Sequence, residues 1–167
     1  MEGQVHIVIK RNGGDELDTP ILKLQYTDET TKQILENVRK RKKKFDDAKK
    51  LHNYWIMATL VVSFIYLYYF YITIGKQYSY SFFAMFSVSV SDLKNLILLA
   101  MTILMYGWMN VLKQKKDKFE KEYHDLRCEI VDRSKDLWKK EEQWKNRHVD
   151  FEIIKKTYDI NLYHAKK

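Results

Sequence analysis

His124 and Cys128 are the residues whose types and spacing come nearest to a reactive site, because positions four apart share one face of a helix. A thiol beside an imidazole can act as a nucleophile, and the same pair can bind a metal ion. A nucleophile would need a third group to orient the base, and a metal would need two more ligands. Asp125, Glu129 and Asp132 do not supply such ligands at a suitable spacing. The sequence therefore predicts ordinary helix-surface residues here, with no metal site.

The sequence contains none of the motifs that usually indicate catalysis. It has no glycine-rich phosphate-binding loop, no CxxC and no paired catalytic carboxylates. Cys128 is its one cysteine, so no disulfide forms within the chain. We therefore expect no enzymatic activity, no cofactor and no small-molecule substrate.

Basic residues are concentrated in two clusters in a chain of net charge +8. Such clusters bind nucleic acid or anionic headgroups in some proteins, and in others they lie beside membrane spans and fix their orientation. Because one cluster precedes the first of two uncharged segments and the other follows the second, we favour the second interpretation, with membrane lipids and not nucleic acid as the partner. The residues predicted to contact the membrane surface are Arg39, Lys40, Arg41, Lys42, Lys43, Lys44, Lys113, Lys115 and Lys116.

Two uncharged segments could cross a membrane. Residues 54–74 are 21 positions without a formal charge, and residues 95–112 are a further 18; the longer one gives about 31 Å of helix. The connection, 75–94, contains a serine-dotted stretch at 77–91 that we expect to be interfacial or re-entrant. Because Lys and Arg are abundant outside this pair and scarce in the connection, the positive-inside rule places both termini in the cytoplasm.

The C-terminal segment, residues 113–167, is predicted to be one long amphipathic helix. Apolar residues recur every seven positions over about five heptads, as in a coiled coil, although Arg133, Lys140 and Arg147 fall where a strict zipper is apolar. We expect its first part to pack on the basic helix of residues 27–53. The predicted contact joins Ile34, Val38, Phe45 and Ala48 to Phe119, Tyr123, Leu126 and Ile130.

The outer part of this C-terminal helix extends beyond that helical partner. Its aromatic side chains must therefore fold back, meet a second copy in a homo-oligomer, or bind another membrane-associated protein, since exposed tryptophans are good interface anchors. The predicted partner interface consists of Leu137, Trp138, Trp144, Phe151 and Ile154.

Residues 1–26 differ in composition from the rest of the chain. The stretch 5–9 is rich in β-branched residues, 12–15 is a strong turn signal, and 21–26 is a second apolar run. This pattern predicts a short β-hairpin, with a poorly ordered tail as the alternative, because an isolated two-stranded hairpin is marginally stable in water.

Four stretches resemble the YpbF-like proteins, a family of small two-span membrane proteins of Bacillus-type bacteria grouped as a domain of unknown function. They are 78–87 (YSYSFFAMFS), 121–130 (KEYHDLRCEI), 133–138 (RSKDLW) and 159–164 (DINLYH). The resemblance covers the chain from about residue 30 onward. It implies a two-span architecture in a bacterial cell membrane and no particular activity.

The expected fold is therefore an all-α membrane protein, a two-span transmembrane hairpin with long cytoplasmic helices that resemble a coiled coil. The expected function is that of a membrane-anchored helical scaffold or protein-interaction module. The alternative is a component of a small oligomeric channel or transporter, whose path would be lined by Asn95, Thr102 and residues 77–91.

Overall fold

The computed structural model describes residues 20–164, and within this range all regular structure is helical. The first and longest helix begins after Asp28 and runs unbroken for 42 residues. The elements in chain order are α1 (Glu29–Phe70), a π-helical turn (Tyr71–Gly75), α2 (Lys76–Tyr78), α3 (Phe82–Ser91), α4 (Leu93–Asp132), α5 (Ser134–Leu137) and α6 (Glu141–Tyr158).

Polar caps set the boundaries at the far end of the hairpin. The Ser81 hydroxyl accepts from the Ala84 amide at 3.4 Å, and the Asp92 carboxylate accepts from the Lys94 amide at 3.1 Å. Asp92 has extended backbone, with ψ 104°, so it ends α3 and begins α4. These caps satisfy amides that a helix start otherwise leaves unpaired. The segment expected to be interfacial or re-entrant is therefore mostly a ten-residue helix.

Helices α1 and α4 pack side by side and antiparallel. The rings of Phe45 and Tyr123 stack with centroids 6.1 Å apart, and the rings of Trp55 and Trp108 meet edge-on at 6.5 Å. Val38 and Ile130 lie in the same buried cluster, each 1% exposed. The predicted contact between the basic helix and the start of the C-terminal helix is thus confirmed.

The prediction of a single C-terminal helix over 113–167 is wrong. Helix α4 ends at Asp132, and the backbone leaves helical geometry at Arg133 and again at Trp138. Helix α6 then returns along the α1–α4 pair, so the seven-residue series is divided among α4, α5 and α6. The physical reason is burial: Trp138 is 1% exposed, and an uninterrupted helix would leave such an aromatic side chain in water.

Residues 21–26 do not form the second strand of a hairpin. Residues 20–23 make a turn in which the Lys23 amide donates to the Pro20 carbonyl at 3.2 Å. Ile21 and Leu24 are 1% and 4% exposed in the core, so the apolar run was a burial signal and not a strand signal. The predicted first strand, at 5–9, lies outside the described residues.

Within residues 20–164, two helices are long and apolar enough, by length and composition, to span a membrane: Glu29–Tyr78 and Leu93–Asp132. Only 6% and 11% of their most apolar windows are buried within the chain. The other halves of the same helices form the packed, charged end of the molecule, where the core cluster lies. Each helix is therefore exposed and apolar in one half and packed in the other.

Candidate interaction surface

His124 and Cys128 lie on α4 in the packed half, both partly buried. The His124 ring lies beside that of Tyr123, with centroids 5.1 Å apart. Among residues 20–164, no three His, Cys, Asp or Glu side chains lie close enough together to hold a metal ion. In the described part of the chain, the pair therefore lacks the further ligands that a metal site would need.

The residues predicted as a partner interface belong to the core of the chain itself. Trp138, Phe151 and Ile154 are 1%, 4% and 1% exposed, and Leu137 and Trp144 pack against them. The rings of Trp138 and Phe151 meet edge-on with centroids 5.1 Å apart. This corrects the predicted interface for Trp138, Phe151 and Ile154: of the open alternatives, folding back is the one the structure adopts, and these buried side chains present no surface to a partner. Leu137 and Trp144 remain partly exposed.

A buried polar network joins the N-terminal segment to the C-terminal helix. The Thr27 hydroxyl donates to the Asp150 carboxylate at 2.5 Å and accepts from the Trp138 indole at 3.2 Å. Asp150 is 1% exposed. Burial raises the pKa of Asp150, and hydrogen bonding by Thr27 and Trp138 together with the charge of Lys32 offsets this only in part.

Replacing Asp150 with Asn should stabilise the protein at neutral pH. A carboxyl group whose pKa is raised by folding makes the folded state less stable when it is ionised. This cost is absent below the ordinary pKa and develops as the pH rises through the raised one. The amide oxygen of Asn can still accept from Thr27, while the other carboxylate oxygen becomes an amide nitrogen that donates instead of accepting. We expect a higher melting temperature than wild type at pH 7 and convergence near pH 4. Parallel pH profiles for the two proteins would contradict this.

The basic run at 39–44 divides between two flanks of α1. Arg39 and Lys42 face α6: the Arg39 guanidinium lies 5.7 Å from the Tyr158 ring, and the Lys42 ammonium lies 3.6 Å from the Asp159 carboxylate. Both were predicted to contact a membrane surface, and the structure instead uses them within the chain. Arg39 is also paired with Glu36 on its own helix.

Lys42 is the most enclosed of these cations. Its ammonium pairs with Asp46 at 3.1 Å and lies 5.6 Å from the ring of Tyr123. Burial alone would lower the pKa of Lys42, but the hydrogen bond and charge of Asp46, with Tyr123 and Asp159 nearby, raise it above its ordinary value. Lys42 therefore stays charged, and it contacts Asp159, the residue that follows α6.

The opposite flank of the α1–α4 pair carries an open groove, with a volume of about 450 Å³. Its floor is apolar, formed by Ile34, Leu126, Ile130 and Leu137. Its rim carries four basic side chains and one carboxylate: Lys40, Arg41, Lys44, Arg133 and Glu129.

A second hollow of about 310 Å³ shares Lys44 with this groove and extends it toward the apolar halves of the two helices. It is lined by Asp47, Ala48 and Leu51 on α1 and by Leu112 and Phe119 on α4. The two hollows lie next to each other along the pair, with Lys44 lining both, and we call them together the α1–α4 groove. Lys115 lines it, whereas Lys116 is paired with Asp117 at 3.0 Å.

The α1–α4 groove was missed from the sequence, although a signal for it exists. Positions 34, 37, 41, 44, 48 and 51 alternate spacings of three and four, which marks one flank of a helix. Polar residues interrupt this series, so the pattern does not read as an apolar stripe. Only the packing of α6 against the other flank shows which side remains open.

The fold and this surface define a class of protein, a helical hairpin with a packed, basic helical end. Its two apolar arms are the exposed halves of the long helices, residues 54–74 and 95–112. The chain belongs to the family described as Protein of unknown function (DUF2663), whose model matches residues 34–165. It is similar to the "Uncharacterized protein YpbF" of Bacillus subtilis (strain 168), with 32% identity over 143 residues, 86% of this chain and 94% of that protein. These matches confirm the resemblance noted from the sequence. No solved structure matches the chain.

Proposed function

We propose that this protein is a membrane-anchored helical module without catalytic activity, whose packed end serves protein interaction. The observation that carries the proposal is that α1 and α4 each run unbroken from an exposed apolar half into a packed, charged half. Apolar side chains such as Phe64 and Leu104, 69% and 73% exposed, each gain about 2 kcal/mol on leaving water. A bilayer supplies that environment along both arms at once.

The distribution of cations supports an orientation for this hairpin in a bacterial cell membrane. Lys113 and Lys115 directly follow the second apolar segment, and the connection between the arms has only Lys76 and Lys94, so both termini are proposed to be cytoplasmic. Lys44 precedes residue 54 by ten positions of continuous helix, about 15 Å. We therefore assign lipid headgroup contact to the lysines at 113, 115 and 116, and not to the run at 39–44.

Cysteine labelling tests the anchor and its orientation. In a Cys128→Ser background, Ser79→Cys places a thiol at the turn between the arms, and Lys135→Cys places one on exposed α5. A membrane-impermeant maleimide applied to intact cells should label Ser79→Cys and leave Lys135→Cys unlabelled. Permeabilised cells should label both, which controls for reactivity. Labelling of Lys135→Cys in intact cells, or release of the protein by alkaline carbonate, would overturn the proposal.

The interaction role rests on the packed end, where a basic surface with an apolar groove is held by a buried core. A channel component is the weaker candidate on this geometry. The Thr102 hydroxyl donates to the Leu98 carbonyl at 2.9 Å, and the Asn95 amide donates to the Ser89 carbonyl at 2.9 Å. These donors are thus used inside the hairpin. The Asn95 amide oxygen, buried without a partner, is the feature that favours a polar path. Flux through liposomes containing the purified protein would distinguish the two functions.

A further inference from the structure

We propose that the α1–α4 groove binds an acidic amphipathic helix of another protein. This inference rests on the proposed interaction role and names the chemistry of its partner. From Ile34 to Leu51 the groove follows 17 residues of α1, about 26 Å. That length fits a helix of about five turns, and its open apolar floor fits one apolar stripe on such a helix.

The opposite flank of the same pair shows what kind of segment α1 accepts. Helix α6 inserts Phe151 and Ile154 into the core and places Tyr158 beside Arg39, while Asp159 at its end pairs with Lys42. An α-helix with an apolar face and acidic or aromatic flanking groups thus already occupies one side of the pair. The α1–α4 groove offers the same combination of an apolar floor and cationic rim to a second helix, supplied in trans.

Charge selects this occupant over the other candidates. Of the four rim cations, Arg133 pairs with Glu129 at 3.1 Å and Arg41 lies 3.8 Å from the Glu122 carboxylate. Lys40 and Lys44 leave the rim with a net positive charge, so two copies meeting groove to groove would bring surfaces of the same net charge together. A lipid headgroup is a poor fit for the basic rim, since Lys44 is about 15 Å along α1 from residue 54 and Lys40 and Arg41 lie farther still. Only the other end of the groove, at Leu51, Leu112 and Lys115, lies beside the apolar segments. Glutamate or aspartate beside an apolar stripe complements both the rim and the floor.

The rim offers a matched pair of variants for the test. Lys40 and Lys44 line the α1–α4 groove, whereas Lys43 and Lys50 are exposed on the same helix and do not line it. Lys40→Glu with Lys44→Glu and Lys43→Glu with Lys50→Glu make the same change in net charge. Circular dichroism and melting curves check that both remain folded.

The experiment uses the full chain in nanodiscs of zwitterionic lipid and a fluorescent 18-residue synthetic peptide. The peptide has a leucine stripe at helical spacing flanked by glutamates, and its control carries lysine at every glutamate position. Fluorescence anisotropy should show saturable binding of the acidic peptide alone. The Lys40/Lys44 variant should bind it at least tenfold more weakly, and the Lys43/Lys50 variant within twofold of wild type. Equal binding of both peptides, or equal losses in both variants, overturns the proposal.

A crosslinking arm tests the rival occupant. Asn37 lines the groove, so Asn37→Cys in the Cys128→Ser background reports on what lies there. Efficient disulfide or bismaleimide dimers in native membranes would place a second copy in the groove and overturn the proposal, whereas monomers are expected. The outcomes also separate this inference from the anchor: a chain that enters nanodiscs but ignores the acidic peptide contradicts only the groove, and a chain that fails to enter contradicts the proposed function.

Discussion

Trp138→Ala is expected to destabilise the packed end by about 3–5 kcal/mol, the range for removing a fully buried tryptophan. Trp138 is 1% exposed and contacts two other segments of the chain, at Thr27 and at Phe151. Its indole donates to Thr27, its ring meets Phe151 edge-on, and it forms the break between α5 and α6. Alanine would leave a cavity at this junction and remove a donor from the network around Asp150. Helix α6 should then separate from the α1–α4 pair.

Chemical denaturation in mild detergent, followed by circular dichroism, measures this loss, and limited trypsin digestion locates it. Lys139 and Lys140 lie in the exposed link before α6, so detachment should speed cleavage there while α1 remains protected. Trp144→Ala is the matched control. Trp144 is only partly buried, with the Arg147 guanidinium 3.5 Å from its ring centroid, so its loss should cost about 1 kcal/mol. Similar losses for the two tryptophans would contradict the assigned role of Trp138.

The antiparallel α1–α4 pair was predictable because the sequence features that specify it lie within each helix. Uncharged runs set the apolar halves, and the repeat that places Phe45 and Tyr123 on inner faces is visible without knowing the partner. The sole proline, Pro20, precedes α1, so the helices could extend without interruption. For the same reason the continuity of α1 across the boundary at 53–54 follows from composition.

The break at Arg133 could not be predicted in the same way. No glycine or proline lies between Gly107 and the C-terminus, and the cations at 133, 140 and 147 show only that the seam is uneven. The turn forms because burying Trp138, Phe151 and Ile154 against α1 and α4 releases more free energy than extending α4 by a few residues would. This is a tertiary preference that overrides a local one. The same cause divides the basic run, since Arg39 and Lys42 differ from their neighbours only in facing α6.

Phe64→Arg is expected to be the most disruptive single change in the apolar arms. Phe64 is 69% exposed at the centre of residues 54–74. In water, an arginine at such an exposed site would change stability by less than about 0.5 kcal/mol. At the centre of a membrane span, arginine costs about 2.5–3.5 kcal/mol on insertion scales. The same substitution thus has little effect on a solvated helix and a large destabilising effect on a membrane-spanning one.

Insertion can be read from the Ser79→Cys thiol, because that turn is reached from outside the cell only when both arms cross the bilayer. With Phe64→Arg, labelling of this thiol by an impermeant maleimide should fall severalfold, and more protein should be extracted by alkaline carbonate. Gln33→Arg adds the same charge at an exposed position of the packed half and should leave both readouts unchanged. Phe64→Leu should behave as wild type, since leucine is apolar and a strong helix former. If Phe64→Arg were as well tolerated as Gln33→Arg, the exposed face of α1 would not lie in lipid, and the apolar arms would need a protein partner instead.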